Sequence, residues 1–135
     1  MQVVNGAQHV RVAIVVDDLL VRAALRDCME SAEHFVMEFA SAEEFLASGC
    51  TQETDCLILD VQLPGLNGLD LQNKLAELGC RLPILFVTAH GSGETRERAM
   101  REQAADFLAK SVRRETLLSS VRAAIRSRSE RERGN

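Results

Sequence analysis

The sequence predicts an α/β domain: a parallel sheet with helices covering both of its faces. Three observations carry this. The run Leu57-Ile58-Leu59 ends in a lone Asp60 and breaks into a Pro64-Gly65 turn. Uninterrupted apolar runs containing β-branched residues read as strands buried on both faces, which occur in parallel sheets. Val10 to Val16, broken only by Arg11, and Ile84 to Val87 repeat the pattern. Segments of helical spacing separate these runs, and strict alternation of strand and helix implies right-handed crossovers within one sheet. A chain of 135 residues, 46% hydrophobic and 27% charged, suits one globular domain with one core.

The elements follow in order. Strands are expected near 10–16, 34–39, 55–60, 83–87 and 106–109, and helices near 19–32, 41–48, 67–79, 94–104 and 113–128. Leu25, Cys28 and Met29 recur at helical spacing behind Val21 in the first helix. Ser41 and Glu44 form a capping box for the second. Val112, Leu117, Leu118, Val121 and Ile125 give the last helix its apolar stripe. There is no internal repeat.

The strand ends carry the chemistry. Asp17-Asp18 follows the first strand, Asp60 ends the third, Thr88-Ala89-His90-Gly91 follows the fourth and Lys110-Ser111 the fifth. In open α/β sheets ligands bind outside the carboxyl ends of the strands. An isolated strand-end Asp commonly just starts a turn or caps a helix, but Asp60 is accompanied. Carboxylates hold divalent cations, a carboxylate can be a covalent nucleophile, and a lysine and a hydroxyl can bind phosphoryl oxygens. The pattern suits phosphoryl chemistry.

Other features are bland. His9, His34 and His90 have no mutual spacing for a metal or a base and read as surface or satisfied loop residues. Cys28, Cys50, Cys56 and Cys80 lack metal spacing and read as free thiols. No apolar run approaches the ~18 residues of a membrane span and no signal segment opens the chain, so a cytoplasmic protein is expected. The chain carries 16 basic and 20 acidic residues, yet residues 122–135 hold five arginines against two glutamates, a local +3 beside −7 for the rest. With alternating Glu and no aromatic residue, that tail reads as a solvated helix end or linker rather than a nucleic-acid contact.

Val15-Val16-Asp17-Asp18 with Val21-Arg22, Ser41-Ala42-Glu43-Glu44-Phe45-Leu46, Asp60-Val61-Gln62-Leu63-Pro64-Gly65-Leu66-Asn67-Gly68, Thr88-Ala89-His90-Gly91 and Phe107-Leu108-Ala109-Lys110 together resemble the receiver domain of a two-component response regulator, most closely the FixJ-type branch. The resemblance implies a flavodoxin-like (βα)5 doubly wound sheet of order 2-1-3-4-5. It implies a receiver over 10–127, an N-terminal extension over 1–9 and a tail or linker over 128–135. Asp60 would be the phosphoacceptor, taking a phosphoryl group from a sensor histidine kinase. Asp17, Asp60 and the main-chain carbonyl of Gln62 would bind Mg²⁺, with Asp18 a further candidate. Thr88 and Lys110 would hold phosphoryl oxygens, and Phe107 would be the aromatic that moves with Thr88. The loop from Thr88 to Glu94, with Gly91 and Gly93, would reorganise on phosphorylation. No enzyme is implied beyond Mg²⁺-dependent self-phosphorylation and dephosphorylation at Asp60.

Two residues depart from the family pattern. Aligned without a gap on Val21-Arg22, Asp17 takes the second of two acidic positions and Val16 the first, so Mg²⁺ binding should be weakened; the rival register pairs Asp17 with Asp18. Ser111 stands after Lys110 where the family usually has proline, and a cis bond there would cost about 2.5–4 kcal/mol, so a trans bond is expected. A homodimer through the fourth helix, fifth strand and fifth helix is expected to be weak or phosphorylation-dependent, with Arg96, Arg98, Arg101 and Glu102 facing Asp106, Arg113, Arg114 and Glu115. The Arg-Ser-Glu-rich end resembles the linker to a helix-turn-helix domain, which implies part of a transcription regulator that touches DNA only through such an effector domain; a stand-alone receiver is the alternative. Two other functional classes remain open. One is a receiver-like interaction module independent of phosphate. The other, a small flavodoxin-like or aspartate-nucleophile phosphatase enzyme, expects a second Asp two residues after Asp60, where Gln62 stands, or a Gly-rich phosphate loop, whereas Asp17-Asp18-Leu19-Leu20-Val21 has no glycine.

Overall fold

In the computed structural model, which describes residues 10–89 and 93–133, the apolar runs become strands and the segments between them helices. In order these are β1 (Arg11–Val15), α1 (Leu19–Ser31), β2 (Phe35–Phe39), α2 (Ala42–Ser48), a 3-10 turn (Thr51–Glu53), β3 (Cys56–Asp60), α3 (Gly68–Glu77), β4 (Ile84–Thr88), α4 (Gly93–Arg101), β5 (Asp106–Ala109) and α5 (Arg114–Arg133). The strands form one sheet in the order β2-β1-β3-β4-β5, every pair parallel. This is the expected doubly wound sheet. The expected extension over 1–9, with His9, and the loop residues His90 and Gly91 lie outside the described residues.

Strand alternation sends side chains to two cores. Val12, Ile14, Val16, Ile58, Leu85 and Val87 pack against Leu25 and Met29 of α1 and Leu117, Val121 and Ile125 of α5. Ala13, Val15, Leu57, Leu59, Phe86 and Phe107 pack against Phe45 of α2, Leu71 and Leu75 of α3 and Ala99 of α4. β3 and β4 are buried at every position, as central strands of a helix-covered parallel sheet are. Buried His34 accepts at Nδ1 from the Val10 N–H at 3.3 Å.

The ends of α1, α3 and α4 fall one, two and three residues short of expectation. α1, α3 and α4 close through residues of positive φ at Glu33, Gly79 and Gln103. The next amide returns to the helix in each case: His34 to Met29 O at 3.1 Å, Cys80 to Leu75 O at 2.9 Å, Ala104 to Ala99 O at 3.0 Å. Only Gly79 advertises such a closure in sequence, so α4 ends at Arg101 rather than 104. α5 continues past its apolar stripe to Arg133. Arg128 lies along it and donates to the carbonyls of Thr54 and Asp55 at 3.3 and 3.4 Å.

All four cysteines are free thiols. Burial pushes the Cys56 thiol up to about 12. Above its ordinary value of 9.0 the unfolded chain therefore loses this proton while the folded chain keeps it, and stability falls by up to about 1.4 kcal/mol per pH unit in that window. Cys56→Ala removes this loss. Urea midpoints should show the variant's deficit at neutral pH shrinking near about pH 10; an unchanged gap would place the thiol's ionisation elsewhere.

Candidate functional site

Parallel register brings the strand ends to one edge. β3 ends at Asp60, paired with Val87, and Thr88 of β4 pairs with Ala109 of β5. Lys110 follows Ala109 and its amide donates to Thr88 O at 2.9 Å. Lys110 Nζ thereby reaches Asp60 Oδ2 at 2.8 Å, joining two residues fifty positions apart in sequence as expected. The Lys110–Ser111 peptide bond is trans.

Asp60 is 1% exposed. Its Oδ1 accepts from the Gln62 N–H at 3.1 Å, folding the loop after β3 back onto the carboxylate. Oδ2 stands within ion-pair distance of Lys110 and has no further donor among the described residues. An ammonium at 2.8 Å is a charge-assisted contact, and a carboxylate oxygen accepts at more than one lone pair, so Oδ2 has capacity left for another partner. A buried carboxylate with one oxygen in this state is poised to take a cation or an electrophile.

The β1–α1 loop supplies the next residues. β1 pairs with β3 through Val12↔Cys56, Ile14↔Ile58 and Val15↔Leu59. One further step puts Val16 beside Asp60 on the same face. Val16 is fully buried, packed with Val12 and Ile14. Asp17 is exposed. Asp18 is the N-cap of α1, its Oδ1 accepting from the amides of Leu20 and Val21 at 2.9 and 3.2 Å. That bonding occupies the oxygen locally.

The β3–α3 loop is fixed from two sides. Glu43 of α2 accepts from the Leu66 N–H at 2.8 Å, and this bond holds its carboxyl below the usual range. Asn67 caps α3 in a reciprocal box with Asp70. A Cβ at Gly68 would overlap the carbonyl oxygen of Asp60 and lie 3.0 Å from Val61 Cα. The absent side chain lets α3 start directly against the Asp60 backbone. Sequence reasoning missed both Glu43 and the Asn67–Asp70 box; Asn-x-x-Asp before an apolar run was a readable capping signal.

Thr88 is 4% exposed and Phe107 is 8% exposed, its ring 5.9 Å from that of Phe86. Arg96 of α4 donates to Phe107 O at 3.1 Å and lies 6.0 Å from the ring centroid. Asp106 accepts from the Phe107 amide and from Ser120 Oγ. Part of the charge mixture expected to face a partner is therefore engaged within the chain.

Among the described residues no three His, Cys, Asp or Glu side chains stand together so as to hold one metal ion. The acidic groups at this edge are Asp60, with Oδ2 buried beside Lys110, exposed Asp17, and Asp18, which is committed to its cap. Two carboxylates and backbone carbonyls fit a hard cation that keeps several waters, which is the habit of Mg²⁺. A recess of about 790 Å³ opens at the opposite edge, by Pro83, Ile84 and Asp106, but its buried amide, Gln72, already donates to Ala99 O. No helix among the described residues is long and apolar enough to cross a membrane.

Comparison with known proteins agrees with this geometry. Residues 12–122 match the family described as response regulator receiver domain. Nodulation protein W of Bradyrhizobium diazoefficiens is 45% identical over 122 residues, covering 90% of this chain and 54% of that protein. Transcriptional regulatory protein FixJ of Azorhizobium caulinodans is 33% identical over 114 residues, covering 84% and 54%. The chain thus spans about half the length of the curated relatives it matches. The solved structure of the response regulator StyR superposes with a TM-score of 0.85 at 34% identity, covering 94% of this chain and 64% of that one. With the sheet order, the matched span and these relatives in agreement, the chain belongs to the receiver-domain family of two-component response regulators.

Proposed function

We propose that Asp60 is the phosphoacceptor of this receiver and that Lys110 and Thr88 hold the phosphoryl group once it arrives. The observation that carries the reading is the buried Asp60 carboxylate, whose Oδ2 has Lys110 Nζ 2.8 Å away and no further donor among the described residues. A carboxylate oxygen of Asp60 bonds to phosphorus as the bond from phosphorus to the donor's imidazole nitrogen breaks. The electron pair stays on that nitrogen, which takes up a proton. Lys110 then turns from the carboxylate to a phosphoryl oxygen, and the Thr88 hydroxyl donates to another. Asp17, Asp60 and the Gln62 carbonyl would hold Mg²⁺, with Asp18 left at its cap. When bound, the ion neutralises charge developing on the phosphoryl oxygens. Val16, in place of a carboxylate beside Asp60, makes that site weaker than one with two acids from β1.

Phosphorylation adds roughly 1.5–2 negative charges and three acceptor oxygens. Drawing Thr88 toward them disturbs the inward-packed Phe107 and, through Arg96, α4. The output face is α4, β5 and α5, with a weak or phosphorylation-dependent dimer of two copies through it. The donor is a sensor histidine kinase and the setting is cytoplasmic. Regulation of transcription, which the name of FixJ states for that protein, comes to this chain as part of the same proposal, with DNA contact belonging to an effector domain rather than to the receiver. The second reading, an interaction module independent of phosphate, is favoured by one observation, the apolar Val16 beside Asp60.

Incubation with acetyl phosphate separates the two. The wild type should gain label only when Mg²⁺ is present, and Asp60→Asn should gain none. A wild type that stays unlabelled at saturating Mg²⁺ favours the interaction module.

A further inference from the structure

Arg22 is placed against the loop that carries Asp17. It lies in the first turns of α1, its side chain is 15% exposed, and its Nη1 donates to Val16 O at 2.6 Å and to Asp17 O at 3.5 Å. Nε is 3.5 Å from Glu38 Oε1 on β2, so the guanidinium is held from behind. Asp17 is thus pinned on one side by Arg22 and on the other by Asp18, whose carboxylate caps α1 and whose carbonyl accepts from the Arg22 N–H at 2.9 Å. The Val16 side chain, anchored in the core, leaves Asp17 as the carboxylate that this loop offers to a cation.

We propose that Arg22, braced by Glu38, is a positioning residue for divalent-cation binding: it fixes the Val16 and Asp17 carbonyls and thereby the direction of the Asp17 carboxylate toward Asp60. The inference rests on the metal reading above. A planar guanidinium can bridge two successive carbonyls while its Nε faces a carboxylate, which an ammonium cannot reproduce. Groups that orient a ligand from outside the coordination sphere commonly change metal affinity tenfold or more when removed. A site with few carboxylates has little redundancy to absorb a misdirected one.

Arg26 provides an internal control. It also approaches Glu38, at 3.4 Å, but among the described residues it has no bond to the β1–α1 loop. Mg²⁺ affinity is measured by calorimetry for the wild type, Arg22→Ala, Arg22→Lys and Arg26→Ala, with amide exchange at Asp17 and Asp18 followed in parallel without metal. Arg22→Ala should bind Mg²⁺ on the order of tenfold more weakly and exchange faster in the loop. Arg22→Lys should recover only part of the affinity, and Arg26→Ala should match the wild type in both. Equal affinity in Arg22→Ala and wild type overturns the assignment, as does an equal loss in Arg26→Ala, which would show that the carbonyl contacts peculiar to Arg22 are not the cause. A wild type that binds no Mg²⁺ overturns the metal reading itself, and the assignment with it.

Discussion

Val16→Asp should lower stability in chelator and raise it steeply with Mg²⁺, more steeply than in the wild type. Val16 is fully buried on the face it shares with Asp60, one step beyond the paired Val15 and Leu59. Neighbouring strands lie about 4.8 Å apart, so a new carboxylate there would stand about 5 Å from the old one. At an effective dielectric near 20 the repulsion is about 3 kcal/mol, and the lost burial of a valine adds about 1.5 kcal/mol or more. A bound dication reverses the repulsive part. At a hundredfold excess over its dissociation constant it also adds about 2.7 kcal/mol by mass action. Thermal melts of both chains across a Mg²⁺ series check this. If the two respond alike, position 16 does not face the cation and Asp17 and Asp18 are the acidic pair.

Lys110→Ala should destabilise the fold by about 2–3 kcal/mol in the metal-free protein. Removing one partner of a buried ion pair leaves the other charge uncompensated, typically at about 3–5 kcal/mol; the 22% exposure of the Lys110 side chain puts this pair below that range. In an Asp60→Asn background the same substitution should cost under about 1 kcal/mol, because no buried charge is stranded. A double-mutant cycle by urea denaturation isolates the coupling. Additive costs would mean that the 2.8 Å approach carries no net energy and that water already compensates Asp60.

The strands were legible because central parallel strands are buried at every position, as β3 and β4 are, and so read as apolar runs up to the polar residue that ends each, Asp60 and Thr88. The Ser41 cap was legible too: its Oγ accepts from Glu44 N at 3.1 Å, although Glu44 returns to the amide of Ala40 rather than of Ser41. The approach of Lys110 to Asp60 followed from both lying at strand ends. What stayed hidden depends on tertiary contact. Glu33 and Gln103 close helices in a conformation that glycine would have signalled. Glu43 meets Leu66 from 23 residues away, and Arg22 meets carbonyls that no side-chain pattern records. The burial of Val16 beside Asp60 could be read only with the β1–β3 register in hand. Sequence periodicity reports faces of elements; it does not report which side chain braces which loop.

On the proposed reading Asp60, and no other carboxylate, takes the phosphoryl group. The most direct measurement is chemical: label the wild type with acetyl phosphate and Mg²⁺, reduce the acyl phosphate with borohydride, and map the resulting homoserine by mass spectrometry of peptides. Homoserine is expected at position 60 alone. Homoserine at position 17 or 18 with aspartate intact at 60 would contradict it.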